Sequence, residues 1–121
     1  MARILVVDDD PSVRSFTARA LTLDGHSIEI ADDGDTALET LIKEGGDFDL
    51  LLSDIRMPAM DGIELAKSAV KDFPEIRILL MTGYAEQRER ASDLSKIIID
   101  VVSKPFSLVD IRGAVRQALV A

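Results

Sequence analysis

Five short apolar runs, each followed by a segment with apolar residues at helical spacing, constrain the fold of this chain more than any other feature. The first run, 4–7, is β-branched and aliphatic throughout, which is typical of a strand covered on both faces. Asp10 and Pro11 follow it as a helix cap and a proline suited to the first helical position. Strands that alternate with helices in this way predict a parallel sheet with helices on both faces and right-handed crossovers.

The rest of the chain repeats the same unit, so the predicted fold class is α/β with a (βα)5 order. Further strands are predicted at 27–31, 50–54, 78–81 and 97–102. Helices are predicted to begin near residues 34, 63, 85 and 108. The run 97–99 is interpreted as part of the fifth strand, and an exposed contact is the alternative.

Length and composition exclude several classes of function. A chain of 121 residues has the length of one domain, and we predict a single domain over residues 1–121 with no output domain. The formal net charge of −8 argues against nucleic acid as a partner and favours cations or basic protein surfaces. No apolar stretch reaches the roughly 20 residues of a membrane helix, so no membrane association is expected. The absence of cysteine excludes disulfides and thiolate metal sites.

Polar residues stand where the predicted strands end, which is the edge at which parallel α/β sheets bind ligands. Asp8 and Asp9 follow the first strand, Asp54 ends the third, Thr82 the fourth and Lys104 the fifth. Carboxylates brought together raise each other's proton affinity unless a cation neutralises them. A hard divalent ion with oxygen ligands, Mg²⁺, is the cofactor we expect.

This set of residue types fits phosphoryl chemistry. A carboxylate that is only partly engaged by the cation can attack phosphorus and form an aspartyl phosphate. The charge on the phosphoryl oxygens then needs an ammonium and a hydroxyl donor, which Lys104 and Thr82 supply. Plainer interpretations exist: Asp8 and Asp9 complement a helix dipole, and Lys104 is a solvated charge before a proline turn.

Four segments together resemble the receiver domain of two-component response regulators, of the stand-alone, CheY-like type. Each motif alone is modest, but residues 9, 54, 82 and 104 follow one another in order at spacings of 45, 28 and 22 residues. The resemblance implies a flavodoxin-like sheet with strand order 2-1-3-4-5 and a bacterial, cytoplasmic protein. The segments are Ile4–Asp10, Ser53–Gly62, Met81–Gly83 and Ser103–Phe106.

The resemblance also implies how the acidic residues divide the work. Asp54 is the expected phosphoacceptor. Asp9 and Asp54 are expected to bind Mg²⁺ directly, with Asp8 acting through a water molecule. The backbone carbonyl of Arg56 is the third expected protein ligand.

The remaining site residues are expected to sense the phosphoryl group. Thr82 resembles the switch hydroxyl and Lys104 the ammonium that pairs with the phosphoryl group, and the bond from Lys104 to Pro105 is expected to be cis. Many receivers carry an aromatic residue three positions before this lysine, where this chain has Val101. We therefore predict that Tyr84 takes over part of the transmission.

The function implied is a phosphorylation-activated signalling switch, not an enzyme acting on other substrates. The expected donor is a sensor histidine kinase or a histidine phosphotransferase, and the expected output is binding to a downstream effector protein. A monomer is expected, with a dimer as the alternative. The main alternative is a degenerate receiver that acts as a phosphorylation-independent interaction module. An aspartyl phosphohydrolase would want a second Asp where Arg56 stands, and a flavin protein would want stacking aromatics, but the chain has no Trp and one Tyr.

Overall fold

Five strands and five helices alternate along the chain, as the apolar pattern predicts. The computed structural model describes residues 1–121 apart from the side chains of residues 85 and 86. The strands are β1 Arg3–Val7, β2 Ser27–Ala31, β3 Leu50–Asp54, β4 Arg77–Thr82 and β5 Asp100–Ser103. The helices are α1 Pro11–Leu23, α2 Gly34–Lys43, α3 Gly62–Asp72, α4 Ala85–Ser92 and α5 Leu108–Val120.

The strands form a parallel sheet in the order β2-β1-β3-β4-β5, which confirms the predicted topology. In the register of this sheet, Asp54 pairs with Met81, and Thr82 pairs with Ser103. The carboxyl ends of β3, β4 and β5 therefore lie side by side. Loops that leave these ends meet at one edge of the sheet.

Both faces of the sheet are covered, which explains why the strands are apolar without alternation. Leu5 and Val7 of β1 belong to one buried cluster, which includes residues of α2, α3 and α4. Ile4 and Val6 of the same strand belong to a second cluster with residues of α1 and α5. No helix within the described part of the chain has the length and apolar character needed to cross a membrane.

The prediction that residues 97–99 belong to the fifth strand is wrong. Strand β5 begins at Asp100, and residues 97–99 form the turn that leaves α4. The backbone N–H groups of Ile97 and Ile98 both donate to the carbonyl of Leu94, within the turn that follows α4, so they are not free for the sheet. The side chain of Ile98 is buried in a core cluster, which accounts for its apolar character.

Helix α4 differs from the other four in how it is held. Asp10, Asp33, Asp61 and Ser107 cap α1, α2, α3 and α5 through their own side chains, whereas the N-cap residue of α4, Tyr84, has no such bond. Among the described side chains of α4, only Ala91 is buried. The helix therefore has little apolar attachment to the sheet.

Candidate functional site

An open cavity of about 750 Å³ lies at the carboxyl edge of the sheet. It is bounded by the loops that follow β1, β3, β4 and β5. Its lining has a polar part, which contains five of the predicted site residues, and an apolar part. The polar part includes Asp9, Asp54, Arg56, Tyr84 and Lys104, and the apolar part includes Val13, Phe16, Pro105 and Phe106.

The acidic residues predicted to act together do lie together. Asp8, Asp9 and Asp54 each offer a carboxylate oxygen, and these three oxygens lie within 4.8 Å of one another. Asp8 is fully buried, Asp54 is 7% exposed and Asp9 is exposed. Three hard oxygen donors with an open side match the ligand preference of a hard divalent cation that keeps part of its water shell. This cluster could bind a metal ion.

Lys104 reaches the same cluster from the loop after β5. Its Nζ lies 2.9 Å from Oδ2 of Asp8 and 3.3 Å from Oδ1 of Asp54. Its backbone N–H donates to the carbonyl of Thr82 at 2.8 Å, which fixes this loop against the end of β4. Burial opposes the ammonium charge, but the hydrogen bond to Asp8 and the charges of Asp54 and Asp8 outweigh it and raise the pKa of Lys104. The lysine is therefore held as a cation between two carboxylates.

The carboxyl of Asp54 has a strongly raised pKa. Burial raises its pKa to about 6, and the negative charges of Asp8 and Asp9 act in the same direction. The ammonium of Lys104 opposes this rise without cancelling it. A cation added to the cluster would favour the ionised carboxylate, so the site has an electrostatic use for a bound metal ion.

A glycine fixes the backbone next to Asp54. A Cβ at Gly62 would lie 2.2 Å from the carbonyl oxygen of Asp54, so only glycine allows the start of α3 to approach this closely. The N–H of Gly62 donates to the carbonyl of Ile55 at 2.8 Å. The end of β3 is thereby tied to the first turn of α3.

Thr82 ends β4 at this edge, but its hydroxyl contacts Tyr84 and Gln87 and not the carboxylates. Oγ1 accepts the N–H of Tyr84 at 3.1 Å and lies 3.0 Å from Oε1 of Gln87 in α4. The hydroxyl also lies 3.3 Å from the carbonyl of Tyr84. Thr82 is 3% exposed, so these contacts are within the protein. The contact of Gln87 with Thr82 could not be predicted from the sequence, because one glutamine in a polar helix looks like any solvated residue.

Arg56 and Tyr84 stand together at the rim of the cavity. The guanidinium carbon of Arg56 lies 4.8 Å from the centroid of the Tyr84 ring, within the range of a cation–π contact. Both side chains are exposed and both line the cavity.

Val101 and Pro105 occupy different environments. Val101 is 9% exposed and packs in the buried cluster beneath α4, so it lies in the core and does not line the cavity. Pro105 lines the cavity, and the peptide bond from Lys104 to Pro105 is cis, as expected.

The sequence matches the family model of the response regulator receiver domain over residues 4–116. The chain is 39% identical over 121 residues to the response regulator receiver protein CpdR of Brucella abortus, covering all of this chain and 99% of that protein. It also matches mycobacterial response regulators of which it spans 50% of the length.

Two of the solved structures that share this fold are more than 30% identical in sequence to this chain. A CheY-like receiver domain protein from Methanospirillum hungatei has a TM-score of 0.88 and 31% identity, over 99% of this chain and 94% of that one. The response regulator protein TrrA of Thermotoga maritima, in complex with Mg(2+)-BeF, has a TM-score of 0.86 and 33% identity, over 98% of this chain and 99% of that one. The described fold is therefore that of CheY-like receivers.

Proposed function

The chain belongs to the family of response regulator receiver domains, and from this premise we propose that Asp54 is the phosphoacceptor of a two-component signalling switch. One observation carries the assignment. Asp54 is a buried carboxylate that opens to the cavity and lies between two further carboxylates and a lysine ammonium. A nucleophile, a candidate cation site and a counter-charge for phosphate thus meet at one edge of the sheet.

We propose Mg²⁺ as the cofactor of the acidic cluster. The carboxylates of Asp9 and Asp54 and the backbone carbonyl of Arg56 would hold it, with Asp8 acting through water. When bound, the ion supplies neutralising charge for the carboxylates and for the oxygens of the incoming phosphoryl group. The solved TrrA structure, whose fold this chain shares, contains Mg(2+)-BeF, which supports this choice.

The proposed reaction is transfer from a phosphohistidine. An Oδ atom of Asp54 forms a bond to phosphorus while the bond from phosphorus to the imidazole nitrogen breaks. The electron pair stays on the imidazole, and the product on this chain is an aspartyl phosphate. Lys104, which faces the Asp54 carboxylate at 3.3 Å, pairs with the phosphoryl oxygens. The Thr82 hydroxyl donates a hydrogen bond to the same group.

The proposed partners follow from this chemistry. The donor is a sensor histidine kinase or a histidine phosphotransferase, which docks on the apolar part of the cavity lining, beside Phe16 and Phe106. The output is altered binding of an effector protein in the cytoplasm by a single domain over residues 1–121. On this proposal the chain catalyses only its own phosphorylation and dephosphorylation. A phosphorylation-independent module is not favoured, because it would have no use for the cluster of three carboxylates around a lysine.

The test is covalent labelling by acetyl phosphate with Mg²⁺, followed by mass spectrometry of the intact protein. We expect the wild type to gain one phosphoryl group and Asp54→Asn to gain none. Asp72→Asn, which neutralises an exposed acid at the end of α3, should label like the wild type. Equal labelling of the wild type and Asp54→Asn would refute the assignment.

A further inference from the structure

Helix α4 is joined to its neighbours by polar side chains. Gln87, Arg88 and Arg90 each contact a different element of the fold. Their partners are Thr82 of β4 at 3.0 Å, Val101 O and Ser103 Oγ of β5 at 3.0 Å each, and Asp61 at the start of α3 at 3.1 Å. Since Ala91 is the one buried residue among the described side chains of this helix, these polar contacts determine much of its position.

The contact of Gln87 differs from the other two because it uses a site residue. The Thr82 hydroxyl has a single proton and two acceptors within reach, Oε1 of Gln87 at 3.0 Å and the carbonyl oxygen of Tyr84 at 3.3 Å, and the shorter contact favours donation to Gln87. The same hydroxyl accepts the N–H of Tyr84, the residue that precedes α4. Thr82 therefore holds the first turn of α4 through both its donor and its acceptor function.

A phosphoryl group on Asp54 would compete for this proton. Asp54 pairs in register with Met81, so Thr82 is one residue beyond the phosphoacceptor's neighbour on the adjacent strand. A phosphoryl dianion is a stronger acceptor than a neutral amide, and one proton cannot serve both. Donation to the phosphoryl group would thus break the bond to Gln87.

We propose that Gln87 is a positioning residue that couples the Thr82 hydroxyl to α4. We call the hydrogen bond from the Thr82 hydroxyl to the Gln87 amide oxygen the latch. In the unphosphorylated protein the latch holds the hydroxyl toward α4, and phosphorylation of Asp54 breaks it and releases the first turn of the helix. This inference rests on the proposed function. It gives the chain a route from the site to α4 that does not need the side chain at position 101, where Val101 is packed in the core.

The consequence is measurable without a partner protein. Since the latch opposes the bound state, removing it should tighten binding of beryllofluoride, which occupies the place of the phosphoryl group. A hydrogen bond of ordinary net strength corresponds to about a five-fold change in affinity. Gln87→Met keeps the length of the side chain and loses its acceptor, and Gln87→Asn keeps the amide but shortens its reach by one methylene. Gln117→Met, on the exposed side of α5, is the matched control.

The experiment is calorimetric titration of the Mg²⁺-saturated full chain with beryllofluoride. We expect about five-fold tighter binding for Gln87→Met and Gln87→Asn, and wild-type binding for Gln117→Met. In a Thr82→Ala background, Gln87→Met should change nothing, because the hydroxyl is already absent. A purely structural role would move the affinity equally in both backgrounds.

The outcomes separate this inference from the function on which it rests. Two results overturn the latch alone. In the first, the wild type binds beryllofluoride but Gln87→Met binds it with the same or weaker affinity. In the second, Gln87→Met tightens binding by the same factor in the Thr82→Ala background. A wild type that binds no beryllofluoride overturns the proposed function, and the latch with it.

Discussion

Replacing Asp54 with Asn should stabilise the metal-free protein at neutral pH. Burial and neighbouring charges raise the pKa of Asp54 from 3.8 to about 6, so the folded state holds the proton more tightly than the unfolded chain does. At about 1.4 kcal/mol for each tenfold change, this difference of about 2 in pKa corresponds to roughly 3 kcal/mol of destabilisation by the ionised carboxylate. Asparagine has no charge to desolvate, so the variant escapes this cost.

The sign of the pH dependence follows from the same difference. Between pH 3.8 and about 6 the folded state binds more protons at Asp54 than the unfolded state, so the wild type loses stability as the pH rises through this window. We expect the advantage of Asp54→Asn to be largest above pH 7 and to shrink by about 2 kcal/mol at pH 4.5.

Urea unfolding in the presence of a chelator, at pH 7.5 and pH 4.5, measures both effects, with Asp72→Asn as the exposed-acid control. Added Mg²⁺ should raise the stability of the wild type more than that of Asp54→Asn. If Asp54→Asn is no more stable than the wild type at pH 7.5, or if its advantage does not shrink at pH 4.5, the ionised Asp54 carboxylate does not destabilise the fold.

Two further substitutions test how the site signals. Lys104→Ala leaves two buried carboxylates without their counter-charge, so we expect it to destabilise the fold by about 3 kcal/mol in urea at pH 7.5. It should still label at Asp54 but show no beryllofluoride-induced shifts of the α4 amides in NMR spectra, and a full wild-type response would contradict its role. Tyr84→Ala should weaken the response of the α4 amides to beryllofluoride, whereas Tyr84→Phe, which keeps the ring beside Arg56, should respond like the wild type. An unchanged response in Tyr84→Ala would discard the prediction that this residue takes part in transmission.

The sequence was sufficient to predict the architecture and the acidic cluster. Apolar runs of strand length alternate with helical spacing, and parallel strands bring their carboxyl ends to one edge, so Asp9, Asp54 and Lys104 had to meet. These residues lie on or directly after regular strands. Their positions therefore depend on where each strand ends, which the change from an apolar run to polar residues marks in the sequence.

The features that were missed depend on interactions without a periodic signal. Residues 97–99 look like a strand by composition, but the N–H groups of Ile97 and Ile98 donate to Leu94 within the turn after α4, and only that of Ile99 reaches β4, at the carbonyl of Ile78. The partner of the Thr82 hydroxyl depends on the path of the loop after β4. A lone Gln87 in a polar helix resembles any solvated residue until the fold places its amide beside that hydroxyl.

A crystal structure of the chain with Mg²⁺ and beryllofluoride would show whether Asp54 is the phosphoacceptor. We predict beryllium bonded to an Oδ atom of Asp54 and a Mg²⁺ ion held by the carboxylates of Asp9 and Asp54 and the carbonyl of Arg56. Lys104 and the Thr82 hydroxyl should contact the fluorine atoms. An adduct on another residue, or a metal ion bound away from Asp9 and Asp54, would contradict it.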